Sequence, residues 1–342
     1  MYLLVPANSK QLIERALWFK NPVARKLAQE KGVEFGFELK GEPETISPPA
    51  GGAPPLYWGY HLPGGFASEY YYHPEKRRQL ISSVSHLVSL KPNYVNLHGI
   101  HLWRQPSAKK HLNRYVNRSE SAEYLKVLEA NIELIKKLQA ILPQLTLENY
   151  PITSDFRGKD GKILPETYLF TGSGRLNDLL YLRKKTGVEI LLDLEHLILT
   201  LNFLNRQKNY RHVPVNKSHK LNSDEEKIKE IFGFNIQKGQ IPFANKEIIL
   251  KDIVKKIGAK RYHITGSDQD VNPGKKILSH GPIEVGNKAF RKNIQLVLSQ
   301  KPETILIEVA NSINDTYYGS HLRPNETELS FCNLCEILLE EL

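Results

Sequence analysis

The stretch GVEILLDLEH, residues 187–196, decides the fold. Val188–Asp193 is an apolar run of strand length that closes on an aspartate. Ahead of it, RLNDLLYLRKKTG, residues 175–187, has helical spacing and stops at a glycine. Behind it, His196 follows Asp193 by three residues, among the apolar neighbours LEHLILTL. Helix, apolar strand and a charged residue at the strand's end form one unit, and that unit recurs along the chain.

Outward from it, YLLVP (2–6), VEFGFEL (33–39), LYWGYH (56–61), NYVNLH (93–98), LTLEN (145–149), YHIT (262–265) and TILIEV (304–309) also read as strands. One helix is expected to open at Ser9, run through QLIERAL to LAQEKG and end at Gly32. Another follows Pro74, and KAFRKNIQLVLSQ, 288–300, forms a third. A long amphipathic helix spans about Ser119 to Leu142, with Ser119 and Ser121 as caps. Gly41–Pro55 is rich in Pro and Gly and reads as a loop. Eight strands, most followed by a helix, predict an α/β fold of the (β/α)8 TIM-barrel type, one domain over 1–342. A polar, Lys-rich insertion at about 205–245 is expected over the barrel mouth, and a C-terminal helix closes the chain. An open doubly wound sheet would show a Gly-rich phosphate turn after its first strand, and none is present.

Composition narrows the class. A hydrophobic fraction of 40% and a charged fraction of 25% suit a globular protein. No apolar run approaches the roughly 18 residues of a membrane span. MYLLVPANSK lacks the basic start and apolar core of a secretory signal, so the cytoplasm is the expected location. The net charge of +10 is compatible with a polyanionic partner, and no obligate protein partner is implied. Cys332 and Cys335 form a lone C-x-x-C with no second pair to complete a zinc site; they read as two buried helix cysteines. TGSGR, 171–175, lacks the G-K-[ST] of a P-loop and reads as a helix-start turn, and no G-x-S-x-G nucleophile elbow occurs.

Chemistry-bearing residues gather at the strand ends: His61, His98, Glu148, Asp193, His263 and Glu308. In a closed parallel barrel these ends converge around one mouth, where active sites of the fold sit. A single histidine there is more often structural. Six strand ends out of eight carrying metal-ligand types is a joint pattern. Burying so many carboxylates and imidazoles together is costly without a cation among them. The mixture suits Zn, Mn, Fe or Co better than Ca or Mg.

These motifs resemble the xylose-isomerase-like TIM-barrel superfamily, and within it the endonuclease IV type of apurinic/apyrimidinic endonuclease. The resemblance runs through YWGYHLPGGFA, VNLHGIH, LTLEN, LLDLEH, YHITGSD, HGPIEVGNKAF (280–290) and ILIEVAN, roughly residues 50 to 310. It implies ligands at His61, His98, Glu148, Asp193, His196, His263, His280 and Glu308, with Glu148 bridging two metals and His196 and His280 serving a third. Two departures stand out. The family's Asp two residues before the loop histidine is Leu278 here, so the third metal is weakened or absent unless Asp268 or Asp270 substitutes. The first strand has LVPAN in place of the family's His-Val-Ser.

Three functions follow. The first is metal-dependent hydrolysis of a phosphodiester, with abasic DNA as one substrate, one to three divalent ions (Zn or Mn), and Glu148 or Glu308 orienting or deprotonating water. Trp103, Arg104 and the 205–220 run would touch a nucleic-acid backbone. The second is sugar isomerisation or epimerisation with one metal on Glu148, Asp193, His263 and Glu308. The two glutamates would then exchange the proton, and Trp58, Tyr60 and Trp103 would form an apolar wall against the ring. The third is a non-catalytic, metal-stabilised scaffold, which the number of strand-end ligands disfavours.

Overall fold

The computed structural model describes residues 1–47, 57–100, 118–142, 144–149, 178–198, 250–266, 280–309 and 325–342. Eight strands form a closed parallel barrel in sequence order: β1 (Tyr2–Ala7), β2 (Glu34–Lys40), β3 (Tyr57–His61), β4 (Tyr94–His98), β5 (Leu145–Glu148), β6 (Glu189–Asp193), β7 (Arg261–Ile264) and β8 (Thr304–Ile307). β8 pairs back onto β1, so none of these eight strands is left as an edge. All eight expected strands are present, each within two residues of its expected bounds at either end. Among the described residues, no helix is long and apolar enough to cross a membrane.

The period of two residues sorts the side chains into two layers. One set, including Leu3, Phe37, Trp58, Tyr60, Val95, Leu147, Leu192, Tyr262 and Ile305, belongs to the large core shared with the surrounding helices. The alternate set points inward. At the lower end Leu4, Tyr94, Leu191 and Leu306 plug the barrel, with Tyr2 and Tyr57 stacked beneath at 4.1 Å between ring centroids. Arg261 lies there too, ion-paired to Glu189 and Glu303, with its guanidinium over the Tyr94 ring. Further up, the inward residues of every strand but β1, which carries Pro6, turn polar.

The first helical region differs from its expected form. It is two helices, Leu12–Trp18 and Pro22–Lys31, and Ser9 caps neither. Pro22 has no N–H to continue a helix, whereas Asn21 accepts from the Val23 N–H and starts a new one, which ends at Gly32 in a left-handed conformation. Ser9 instead ties the first loop to the second, donating to the Thr45 carbonyl. Asn21→Ala should therefore cost about 1 kcal/mol, read as a urea-midpoint shift with unchanged slope. A helix not anticipated from sequence, Phe66–Tyr72, follows β3. Pro74 opens a short 3-10 turn, Pro74–Lys76, ahead of the helix Arg77–Leu90. The long helix is already formed at Arg118 and runs to Gln139, so Ser119 and Ser121 lie within it rather than capping it.

The helices Asp178–Thr186, Leu250–Ile257 and Lys288–Ser299 line the outside. The C-terminal helix Glu326–Glu341 presents Phe331 to Trp18, Phe19 and Phe35. Cys335 is buried in that helix and Cys332 half-buried, both as free thiols. The 205–245 insertion lies outside the described residues.

Candidate metal centre

The upper rung of the barrel interior is built by the inward residues at the strand ends. Register pairs Lys40 with His61, His98 with Glu148, and Asp193 with His263. Glu308 follows β8 directly and donates its N–H to the Ile264 carbonyl, 2.8 Å away. Six of the eight expected ligands fall into two tight groups whose ligand atoms lie within 4.8 Å of one another: His61, His98 and Glu148; and Glu148, Asp193, His263 and Glu308. A further group, Glu38, His61 and His263, adds a residue the sequence reading passed over.

Glu148 is the hub and is fully buried. Its Oε2 lies 3.1 Å from His61 Nε2 and 3.0 Å from His98 Nε2, and accepts a hydrogen bond from Asn96. Its Oε1 lies 3.3 Å from His263 Nδ1 and 3.6 Å from His196 Nδ1. Glu308 receives Lys40 on one oxygen and His263 Nδ1, at 3.1 Å, on the other. Asn149 braces Asp193 through its backbone: the Asn149 amide donates to the Asp193 carbonyl and accepts its N–H. Asp193 Oδ1 accepts the His196 N–H at 2.7 Å, which closes the first turn after β6.

His196 and His280 stand beside these groups, with ring centroids 6.3 Å apart, but join neither. Among the described residues, Glu195 is the carboxylate against His280: it accepts the His280 N–H at 2.8 Å and lies 3.4 Å from its Nδ1. Asp268, Asp270 and Leu278 lie outside the described residues. His280 adopts φ 54°, a left-handed backbone that histidine tolerates better than most residues, and Glu195 pins it there.

The residues expected to touch substrate fare differently. Trp58 and Tyr60 sit on the face of β3 opposite His61. Both belong to the core beneath the helices, and Tyr60 donates to the Gly41 carbonyl. They do not line the barrel interior, because successive strand residues alternate faces. Trp103 and Arg104 lie outside the described residues. Lys40 and Glu38 were missed although the alternation Gly36, Glu38, Lys40 puts both on the inward face of β2. Glu195 carried no local signal, since its partner is 85 residues away.

Electrostatics are those of a cluster with more carboxylate than cation. Burial resists ionisation of Glu148, yet His263 and His98 outweigh it and hold the carboxyl well below the usual range. Against the same burial, Lys40 and His263 hold Glu308 well below it. Asp193 goes the other way: burial first, then Glu308, Glu148 and Glu195, push it well above an ordinary aspartate. Burial brings His196 down to about 4. A divalent ion among these crowded carboxylates would offset the like-charge repulsion that raises Asp193.

The residues fit such an ion. Glu148 Oε1 and Asp193 Oδ2 are buried acceptors with no hydrogen bond among the described residues, although both belong to a ligand group. Carboxylate oxygens and imidazole nitrogens together make a donor set that suits a divalent ion.

The chain matches no protein-family model and no curated protein. Among solved structures it is similar to a D-tagatose 3-epimerase-like protein, at 12% identity and a TM-score of 0.46, over 100% of this chain and 98% of that one. It is also similar to a Thermus thermophilus protein soaked with ZnCl2, at 10% identity and 0.44, over 100% and 99%. A third is a xylose isomerase-like TIM-barrel protein from Mycobacterium smegmatis in complex with magnesium, at 13% identity and 0.43, over 99% and 84%. The closed ring of parallel strands establishes the fold by itself: an eight-stranded (β/α)8 barrel whose upper interior carries a ligand-rich carboxylate–imidazole cluster.

Proposed function

We propose that this protein is a metal-dependent hydrolase that cleaves phosphodiester bonds, with nucleic acid carrying an abasic site as the substrate to test first. One observation carries the reading: Glu148 belongs at once to the His61–His98 group and to the Asp193–His263–Glu308 group. A carboxylate shared by two ligand sets would serve two divalent ions at once if both sets were filled. A divalent pair held there supplies Lewis acidity that activates water and offsets charge on a phosphate ester. Glu308 is the most exposed carboxylate of the cluster, its side chain 12% exposed, and held ionised by Lys40 and His263 it would orient a water at the mouth rather than deprotonate it. Lys40, at 36%, is the ammonium at the rim of the cluster and would meet an anionic substrate oxygen. The net charge of +10 accords with a polyanion.

The test is nicking of an abasic-site oligonucleotide by protein loaded with Zn2+ or Mn2+, against the same duplex intact. Cleavage confined to the abasic strand is the expected result. Full metal content with no cleavage of this substrate or of a simple phosphodiester ester would remove the hydrolase reading.

One observation favours isomerisation as a second reading: the group Glu148, Asp193, His263 and Glu308 is complete without His61 and His98. His61→Asn separates the two. In the hydrolase it should lower bound metal from two equivalents to one and reduce turnover at least tenfold. An isomerase with one metal would keep both its metal and its rate.

A further inference from the structure

Counting ring nitrogens limits how the histidines can serve the cluster. His61 Nδ1 lies 2.6 Å from the Leu62 carbonyl oxygen. A carbonyl only accepts, so that nitrogen carries the proton, and only Nε2 is free to bind a metal. Nε2 already faces Glu148 within the His98 group. His263 has carboxylates on both sides. Its Nδ1 faces Glu308 at 3.1 Å and Glu148 at 3.3 Å. Its Nε2 faces Glu38 Oε2 at 3.0 Å. The two sides are not equivalent. The Nδ1 side opens on the four-residue ligand group, whereas the Nε2 side offers Glu38 and a His61 ring whose one available nitrogen is engaged elsewhere.

Glu38 is itself held from below. It is fully buried, and its Oε2 accepts the Tyr94 hydroxyl at 2.6 Å. Tyr94 reaches it because residue 59 is glycine. A Cβ there would fall 2.2 Å from the Tyr94 ring. The chain Tyr94–Glu38–His263 therefore runs from the apolar plug up to the candidate centre.

The geometry points to Glu38 as a positioning residue: by accepting the Nε2–H of His263 it fixes that ring as an Nδ1 ligand and orients it towards Glu148, Asp193 and Glu308. A carboxylate behind a ligating imidazole also raises the ring's basicity, and removing one typically costs 10–100-fold in metal affinity. The inference rests on the metal-centre reading above and not on which reaction the centre runs.

Nitrogen-15 NMR of histidine-labelled protein loaded with Zn2+ tests it without a substitution. His263, assigned with a His263→Asn control, should show a protonated Nε2 and a metal-bound Nδ1; the reverse arrangement overturns the inference. Competition for Zn2+ against a chromophoric chelator then compares wild type with Glu38→Gln. The variant should bind as many equivalents as wild type, roughly 10–100-fold more weakly. Unchanged affinity overturns the role, and so does the loss of one equivalent, which would make Glu38 a ligand. Failure of the hydrolase reading shows separately, as absent cleavage with these metal results intact. Wild type that binds no Zn2+ defeats both.

Discussion

Glu148→Gln should reduce turnover by roughly a thousandfold or more and leave no intact pair of metals, because it removes the oxygen that both ligand groups share. Glutamine keeps the shape and one acceptor oxygen, so Asn96, His61 and His98 retain their packing around it. The variant should therefore fold, with far-ultraviolet circular dichroism and a urea midpoint near wild type. Bound metal measured by atomic emission, beside turnover, makes the comparison. A Glu148→Gln protein that kept two equivalents and full rate would refute both enzyme readings, since the isomerase needs the same residue. The contrast with His61→Asn is the informative part: one change should empty the bridge, whereas the other should empty a single site.

Gly266→Ala should act on stability instead. Gly266 follows β7, and its N–H donates to the Gly281 carbonyl at 2.9 Å. A Cβ at this position would fall 1.8 Å from the Pro282 carbonyl oxygen and 2.4 Å from the Ile283 nitrogen. Both are backbone atoms, so no rotamer change relieves the clash. The segment 280–283 must move, and with it His280, which sits at positive φ and is held by Glu195. A cost of about 3 kcal/mol is expected, read as a lowered urea midpoint at unchanged slope. A shift below about 1 kcal/mol would mean that the 280–283 segment yields freely, contrary to its close packing. Metal bound to the six-residue cluster should survive in the folded fraction, because neither Gly266 nor His280 belongs to it.

Particular residues show how much could be read in advance. LTLE, EILLD and YVNLH announce themselves, because an apolar run ending on a ligand type is a local pattern with a period of two. Trp58 misled for the same reason: a tryptophan near a strand-end histidine suggests a pocket wall, yet one residue's difference in parity sends it to the opposite face. The break at Pro22 was also local and legible, but the helical periodicity on both sides obscured it.

The sequence by itself determined the eight strands, their closure into a barrel and the six strand-end residues of the candidate cluster, since burial period and strand ends are properties of consecutive residues. Only the tertiary structure decided which candidate ligands share Glu148, that Lys40 sits on Glu308, that Glu38 stands behind His263, and that Glu195 meets His280. Those pairings join strands and turns far apart in the chain. They depend on barrel register and on how far each side chain reaches across the interior, and no local pattern encodes either.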